Sequence, residues 1–151
     1  DKACLLLIGD GNLYDECKKH ETESILVKGS VSDVPSYLNA ADIYISASKS
    51  EGLPNSVLEA AACGLEVVLS EIPQHKEIFE DRKELAHFFE LNNRTQFESI
   101  VNQLINRQRD ESINASEFII NNFSAKTNSN KYAKFYESVV FNNNLTEEKC
   151  E

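Results

Sequence analysis

Residues 50–70, SEGLPNSVLEAAACGLEVVLS, hold a loop, a helix and a buried strand in succession. Gly52-Leu53-Pro54 forms the loop, and Pro54 blocks helix continuation into it. Ser56 to Cys63 reads as a helix with a small-residue face, Gly64 as its C-terminal stop, and Val67-Val68-Leu69-Ser70 as a short strand. Glu51 and Glu59 stand on either side of the loop. Ser56-Val57-Leu58-Glu59 matches a capping box, in which Ser56 caps the helix and Glu59 reaches back to the Ser56 amide. That pattern gives Glu59 a structural use; Glu51 has no such role.

The same grammar extends on both sides. Upstream, CLLLI at 4–8 is a continuous apolar run that suits a strand buried on both faces, and it stops at Gly9-Asp10-Gly11. Helical spacing follows at about 12–21, then ILVKG at 25–29, a short helix from Asp33 to Asn39, and IYIS at 43–46. Downstream, HFFEL at 87–91 reads as a weaker strand after a turn at Ile78-Phe79. Helices are expected over 94–107, 110–122 and 125–141. Alternating short strands and helices imply parallel βαβ units with right-handed crossovers. The fold class expected is α/β: a Rossmann-like parallel sheet in a three-layer sandwich, with C-terminal helices, as one domain over 1–141 and a polar tail over 142–151.

The chain has 151 residues, 41% hydrophobic and 26% charged, enough for one core. Its 15 basic and 25 acidic residues give a formal charge of −10, which opposes binding to nucleic acid or to anionic membrane through a long-range field. A phosphate ligand must be caught locally. Cys4, Cys17, Cys63 and Cys150 show no C-x-x-C spacing and read as free thiols in a reducing, cytoplasmic compartment. No His/Cys/Asp/Glu pattern has metal-ligand spacing, so no metal or other cofactor is expected. The absence of methionine, with a strand almost at the first residue, reads as a piece of something longer.

In an open parallel sheet, ligands sit beyond the carboxyl ends of the strands, where βα loops and helix N-termini gather. That rule selects Gly9-Asp10-Gly11, Gly29 to Asp33, Ala47 to Asn55, and Glu71 to Glu77. Free amides at the helix start after Pro54 form an anion site without needing a lysine.

At this point the pattern becomes specific. YLNAADIYISASKSEGLPNSVLEAAACGLEVVLSEI resembles the nucleotide-sugar-binding region of the retaining glycosyltransferases of family 4, which have the two-Rossmann GT-B fold. The signature is two glutamates separated by seven residues, Glu51 and Glu59, followed by Ala-Cys-Gly-Leu and a valine-rich strand. LLLIGDG, VKGSVSDVPSYL and NNFSAKTNSNKYAKFYESV are similar to the segments around it, so the resemblance covers roughly residues 4–140. It implies that the chain is the C-terminal, donor-binding half of such an enzyme. Glu51 would then bind hydroxyls of the transferred sugar, as the residue nearest the chemistry. Glu59 would hold the ribose, and amides around Gly52, Leu53, Asn55, Ser56 and Val57 would meet the sugar and diphosphate. Gly29, Ser30 and Val31 would flank the base.

The resemblance further implies a nucleoside diphosphate sugar as donor and a glycan or lipid-linked acceptor bound by an N-terminal domain. It also implies a role in bacterial surface polysaccharide or lipopolysaccharide synthesis, with peripheral membrane association. The base, sugar, acceptor and linkage are not given by it. Pro54 stands where many members have glycine, and Leu65-Glu66 replaces the usual Leu-Pro, a change expected to alter the turn and not the chemistry. The strand with Arg and a downstream Lys that normally opens the domain has no counterpart before Asp1, so the chain alone is expected to be inactive. Lys28 and Lys49 read as solvated charges. Two alternatives remain open: a sugar-nucleotide epimerase of the same architecture, and a non-catalytic nucleotide-binding module.

Overall fold

The structure, a computed structural model, describes residues 3–107 and 114–147, with side chains through residue 140. Its elements are β1 (Leu5–Ile8), α1 (Tyr14–Lys18), β2 (Ile25–Lys28), α2 (Val34–Asn39), β3 (Ile43–Ser46), α3 (Asn55–Ala62) and β4 (Glu66–Ser70). Then come α4 (Pro73–Ile78), a 3-10 turn (Lys83–Leu85), β5 (His87–Phe89), α5 (Arg94–Asn106), α6 (Ser116–Phe123) and α7 (Ala125–Glu147). Every ladder between these strands is parallel, as the alternation of elements predicts.

Strand β4 is the centre of the layers. Val67, Val68 and Leu69 are fully buried, each contributing about 1.5–3 kcal/mol of transfer free energy. Because side chains alternate across a strand, Val67 and Leu69 enter one core with Val57, Ala60 and Ala61 of α3, Phe79, and Ile119 of α6. Val68 enters a second core on the other face, with Phe89 and Leu104. The alanines Ala60 and Ala61 have no exposed surface, and the hydroxyl of Ser116 at the start of α6 donates to the Ala62 carbonyl at 2.6 Å. The small face read from the sequence is thus a packing face.

The end of α3 shows why Gly64 is there. Gly64 has φ +81°, its amide bonds the Ala61 carbonyl at 3.0 Å, and the Leu65 amide bonds the Ala60 carbonyl at 3.2 Å, which together make a Schellman stop. A Cβ at this position would also lie 3.3 Å from Asn114 Nδ2. Gly64→Ala is therefore expected to cost about 1–2 kcal/mol. In urea unfolding this would appear as a lower midpoint at unchanged slope.

Several expectations are corrected. β1 is not buried on both faces: Leu5, Leu6, Leu7 and Ile8 are each 38–42% exposed. The reason is that the ladder is in two pieces, β1–β2 and β3–β4–β5, with no pairing between β1 and β3. The turn at Ile78-Phe79 is preceded by an unexpected helix, α4, whose Pro73 supplies a favourable first-turn residue. α7 runs through Glu147, beyond the expected end at 141, since nothing from Ala125 to Glu147 is glycine or proline. The expected helix over 110–122 begins at Ser116 among the described residues, while 110–113, the tail beyond 147 and Cys150 lie outside them.

Glu66, where the resemblance led us to expect proline, has a structural task. Its amide donates to the Asp42 carbonyl at 3.1 Å, a bond proline cannot make. Its carboxylate pairs with the Arg107 guanidinium and sits 3.0 Å from His87 Nε2, tying β4 to β5 and to the end of α5.

Candidate functional site

The loop from Ala47 to Pro54 leaves the carboxyl end of β3 and enters α3. Its turn is held by local bonds: the Asn55 amide donates to the Leu53 carbonyl at 2.8 Å and the Val57 amide to the Pro54 carbonyl at 3.1 Å. Two of the five amides expected to meet a ligand, those of Asn55 and Val57, are therefore engaged within the turn. The amides of Gly52, Leu53 and Ser56 donate to no described residue, leaving three donors at this helix start.

The capping box does not form. Pro54 occupies the N-cap position without a side-chain bond, so Ser56 is the second helical residue and Glu59 lies past the first turn. The Ser56 hydroxyl instead accepts from the Tyr44 phenol at 2.8 Å. Proline at the cap displaces the register by which the S-x-x-E pattern would operate, because the cap must lie three residues before the glutamate. Glu59 is exposed, and its carboxylate bonds no described residue. Its structural use is gone.

Tyr44 lies against the start of α3, its hydroxyl bonded to Ser56. Its phenol is pushed above the ordinary tyrosine range first by burial, against a lowering by the bond to Ser56, and then by the negative charges of Glu51 and Glu59. Gly52 has no positive φ, and a Cβ added there would meet no protein atom within 4 Å. Neither backbone conformation nor packing calls for glycine at that position.

Glu51 is half-buried and held. The Ser48 hydroxyl donates to its Oε1 at 2.5 Å, and Ser46 Oγ lies 3.3 Å from Ser48 Oγ. The Ser70 hydroxyl, at the carboxyl end of β4, donates to the Ser48 carbonyl at 2.6 Å. Behind it, His75 of α4 is fully buried with Nδ1 2.8 Å from the Ser70 carbonyl and 3.3 Å from Ser70 Oγ. Tyr44, Ser46, Ser48, Ser70 and His75 were not singled out from the sequence. Small hydroxyls clustered at two strand ends were the available signal, and such residues are common at strand ends for other reasons.

The loop after β2 is placed differently. Asp33 caps α2 by accepting from the Ser36 amide at 3.3 Å, and Gly29 and Val31 are half-buried while Ser30 is exposed. The Lys28 ammonium sits over the Tyr37 ring, 5.3 Å from its centroid, and Lys49 is exposed. α2 packs on α3, which links this loop to the Glu51 side of the molecule. Among the described residues no group of three or more His, Cys, Asp or Glu could hold a metal ion. No described helix is long and apolar enough to cross a membrane. Cys4, Cys17 and Cys63 are free thiols.

A family model described as glycosyl transferases group 1 matches residues 1–107, which include every one of these loops. The chain belongs to this family.

Relatives of this glycosyltransferase domain agree with that assignment. It is 27% identical over 151 residues to an Escherichia coli UDP-Gal:alpha-D-GlcNAc-diphosphoundecaprenol alpha-1,3-galactosyltransferase, covering 93% of the chain and 38% of that protein. It is 36% identical over 74 residues to a Campylobacter jejuni N,N'-diacetylbacillosaminyl-diphospho-undecaprenol alpha-1,3-N-acetylgalactosaminyltransferase, covering 47% and 20%. The crystal structure of Anabaena HepE with UDP and glucose superposes with TM-score 0.76 at 21% identity, covering 89% of this chain and 40% of that one, a likeness of fold. The chain therefore spans less than half the length of each of these three proteins.

Proposed function

We propose that this glycosyltransferase domain is the donor-binding half of a retaining, family 4 hexosyltransferase of GT-B architecture, which moves a sugar from a nucleoside diphosphate sugar to a hydroxyl. The observation that carries the site assignment is the β3–α3 loop itself, where Ser48 holds Glu51, the amides of Gly52, Leu53 and Ser56 donate to no described residue, and Glu59 is released from any capping duty. In this reading Glu59 takes the ribose diol, for which a carboxylate offers two acceptors, and Glu51 takes hydroxyls of the transferred sugar. The amides of Gly52, Leu53 and Ser56 meet the sugar and diphosphate, and the bare glycine at 52 allows the close approach. Gly29, Ser30 and Val31 flank the base. The acceptor attacks on the face the leaving group departs from, and the departing phosphate takes its proton. The chemistry then depends on stabilising the leaving diphosphate electrostatically, with no metal called for.

The names of both curated relatives carry a sugar-diphosphoundecaprenol acceptor and the transfer of a galactosyl or N-acetylgalactosaminyl unit. They support a lipid-linked acceptor; in this reading it is held by a separate N-terminal domain at the inner face of the membrane, in polysaccharide or lipopolysaccharide assembly. The split sheet supports a missing strand-helix unit. In the doubly wound order 3-2-1-4-5-6, β1 and β2 take the second and third places and β3, β4 and β5 the fourth to sixth. The empty place between β1 and β3 is that of the first strand, and β1 is exposed beside it. Such a unit would also bring the Arg and Lys that neutralise the diphosphate, so the present chain alone is inactive in this reading.

Ligand-detected NMR on the full-length protein with UDP, GDP, ADP and their sugars tests the assignment, with UDP tried first. Selective binding of one nucleotide is expected, with Glu59→Ala weakening the nucleoside diphosphate and Glu51→Ala weakening only the sugar's added contribution. Binding that neither substitution changes would remove both roles, and measurable transfer by residues 1–151 alone would overturn the inactivity of the chain.

A further inference from the structure

We infer that His75 and Ser70 are positioning residues for Glu51, acting through Ser48 from the opposite side of the loop. The inference rests on the reading of Glu51 as the sugar-binding carboxylate. The Ser70 hydroxyl has one hydrogen, and at 2.6 Å it goes to the Ser48 carbonyl. His75 Nδ1 faces only acceptors, the Ser70 carbonyl at 2.8 Å and the Ser70 oxygen at 3.3 Å, so the hydrogen is assigned to Nδ1. The direction of every bond is then set: His75 donates to Ser70, Ser70 to the Ser48 backbone, and the Ser48 side chain to Glu51 at 2.5 Å. Ser46 Oγ, only 8% exposed, braces Ser48 from β3 at 3.3 Å.

Stability alone does not account for this histidine. Its Nε2 is buried with no partner, a defect that an apolar side chain of similar size would not carry. Nor is Nδ1 required to satisfy the Ser70 carbonyl, which also accepts from the Ile72 amide at 2.8 Å. What the imidazole adds is orientation: it fixes the end of β4 from the buried side, and that end holds the loop in which Glu51 sits. A carboxylate so held is pre-arranged for a diol and does not have to be ordered when the sugar arrives.

The test uses the full-length enzyme with its sugar nucleotide. His75→Leu and Ser70→Ala are expected to lower kcat/KM for the donor about 10- to 100-fold, the range that small misplacements of catalytic groups produce. Affinity for the nucleoside diphosphate lacking the sugar should be unchanged in both. His75→Asn, whose amide can donate from the place of Nδ1, should recover most of the loss. Adding Ser70→Ala to Glu51→Ala should lower activity no further, because the two act as one unit. Ser70→Ala removes a single oxygen and carries the test even if His75→Leu does not fold. Wild-type donor kinetics in Ser70→Ala, an equal loss of nucleotide affinity, or no rescue by asparagine would each overturn the inference. If Glu51→Ala itself has no effect, the reading of the site has failed; if Glu51→Ala is impaired and Ser70→Ala is not, the positioning role alone has failed.

Discussion

If Glu51 takes the sugar hydroxyls as proposed, Glu51→Ala in the full-length protein is expected to lower kcat by about 100- to 10,000-fold while the protein remains folded. A carboxylate that accepts two sugar hydroxyls makes charge-assisted bonds of about 1.5–3 kcal/mol each, and each 1.36 kcal/mol is about tenfold in rate. One of its oxygens already accepts from Ser48, so the side chain is held before the donor binds. Glu51→Gln is the sharper comparison, since it keeps the volume but replaces one acceptor with a donor. Steady-state kinetics with the donor varied, together with a far-UV spectrum of each variant, decides the matter. A kcat within threefold of wild type for both variants would remove Glu51 from the chemistry and leave the loop as a turn.

The second large effect is on stability. Phe79 has no exposed surface and stands at the meeting point of β5 and α6, edge-on to Phe88 at 6.5 Å and stacked with Phe118 at 6.4 Å between centroids. Phe79→Ala would remove these contacts and leave a cavity, at a cost of about 3–5 kcal/mol. Against total stabilities of about 5–15 kcal/mol for proteins of this kind, that is a large share. Thermal unfolding should show Tm lowered by roughly 10–15 °C. Phe135, which is 59% exposed on α7, serves as the contrast, with an alanine substitution expected to change stability by no more than about 0.5 kcal/mol. Equal effects at the two positions would contradict the placement of the core.

The order of elements was legible because it rests on local patterns. β2, β3 and α5 lie within a residue of where alternation and helical spacing put them, and Gly64 stops α3 as read. The family signature was legible for the same reason, since Glu51, Glu59 and the loop between them are close in the chain. α4 was missed: the six residues from Pro73 to Ile78 are too few to show a helical period. The capping box was misread because Ser56 and Glu59 have the right spacing whatever the cap turns out to be. Only the three-dimensional position of Tyr44 beside Ser56 shows that the hydroxyl is used elsewhere.

By itself, then, the sequence determined the class of fold, the parallel sense of its strands and the loop that separates the two glutamates, because each follows from residue periodicity and local backbone chemistry. Tertiary structure decided the rest. It placed Ser70 against Ser48 across 22 positions of chain, buried His75 behind them, and left β1 open where a continuous sheet would have covered it. Those contacts join segments far apart in sequence. Which hydroxyl meets which carbonyl is set by how the strands and helices pack, and no spacing along the chain encodes that.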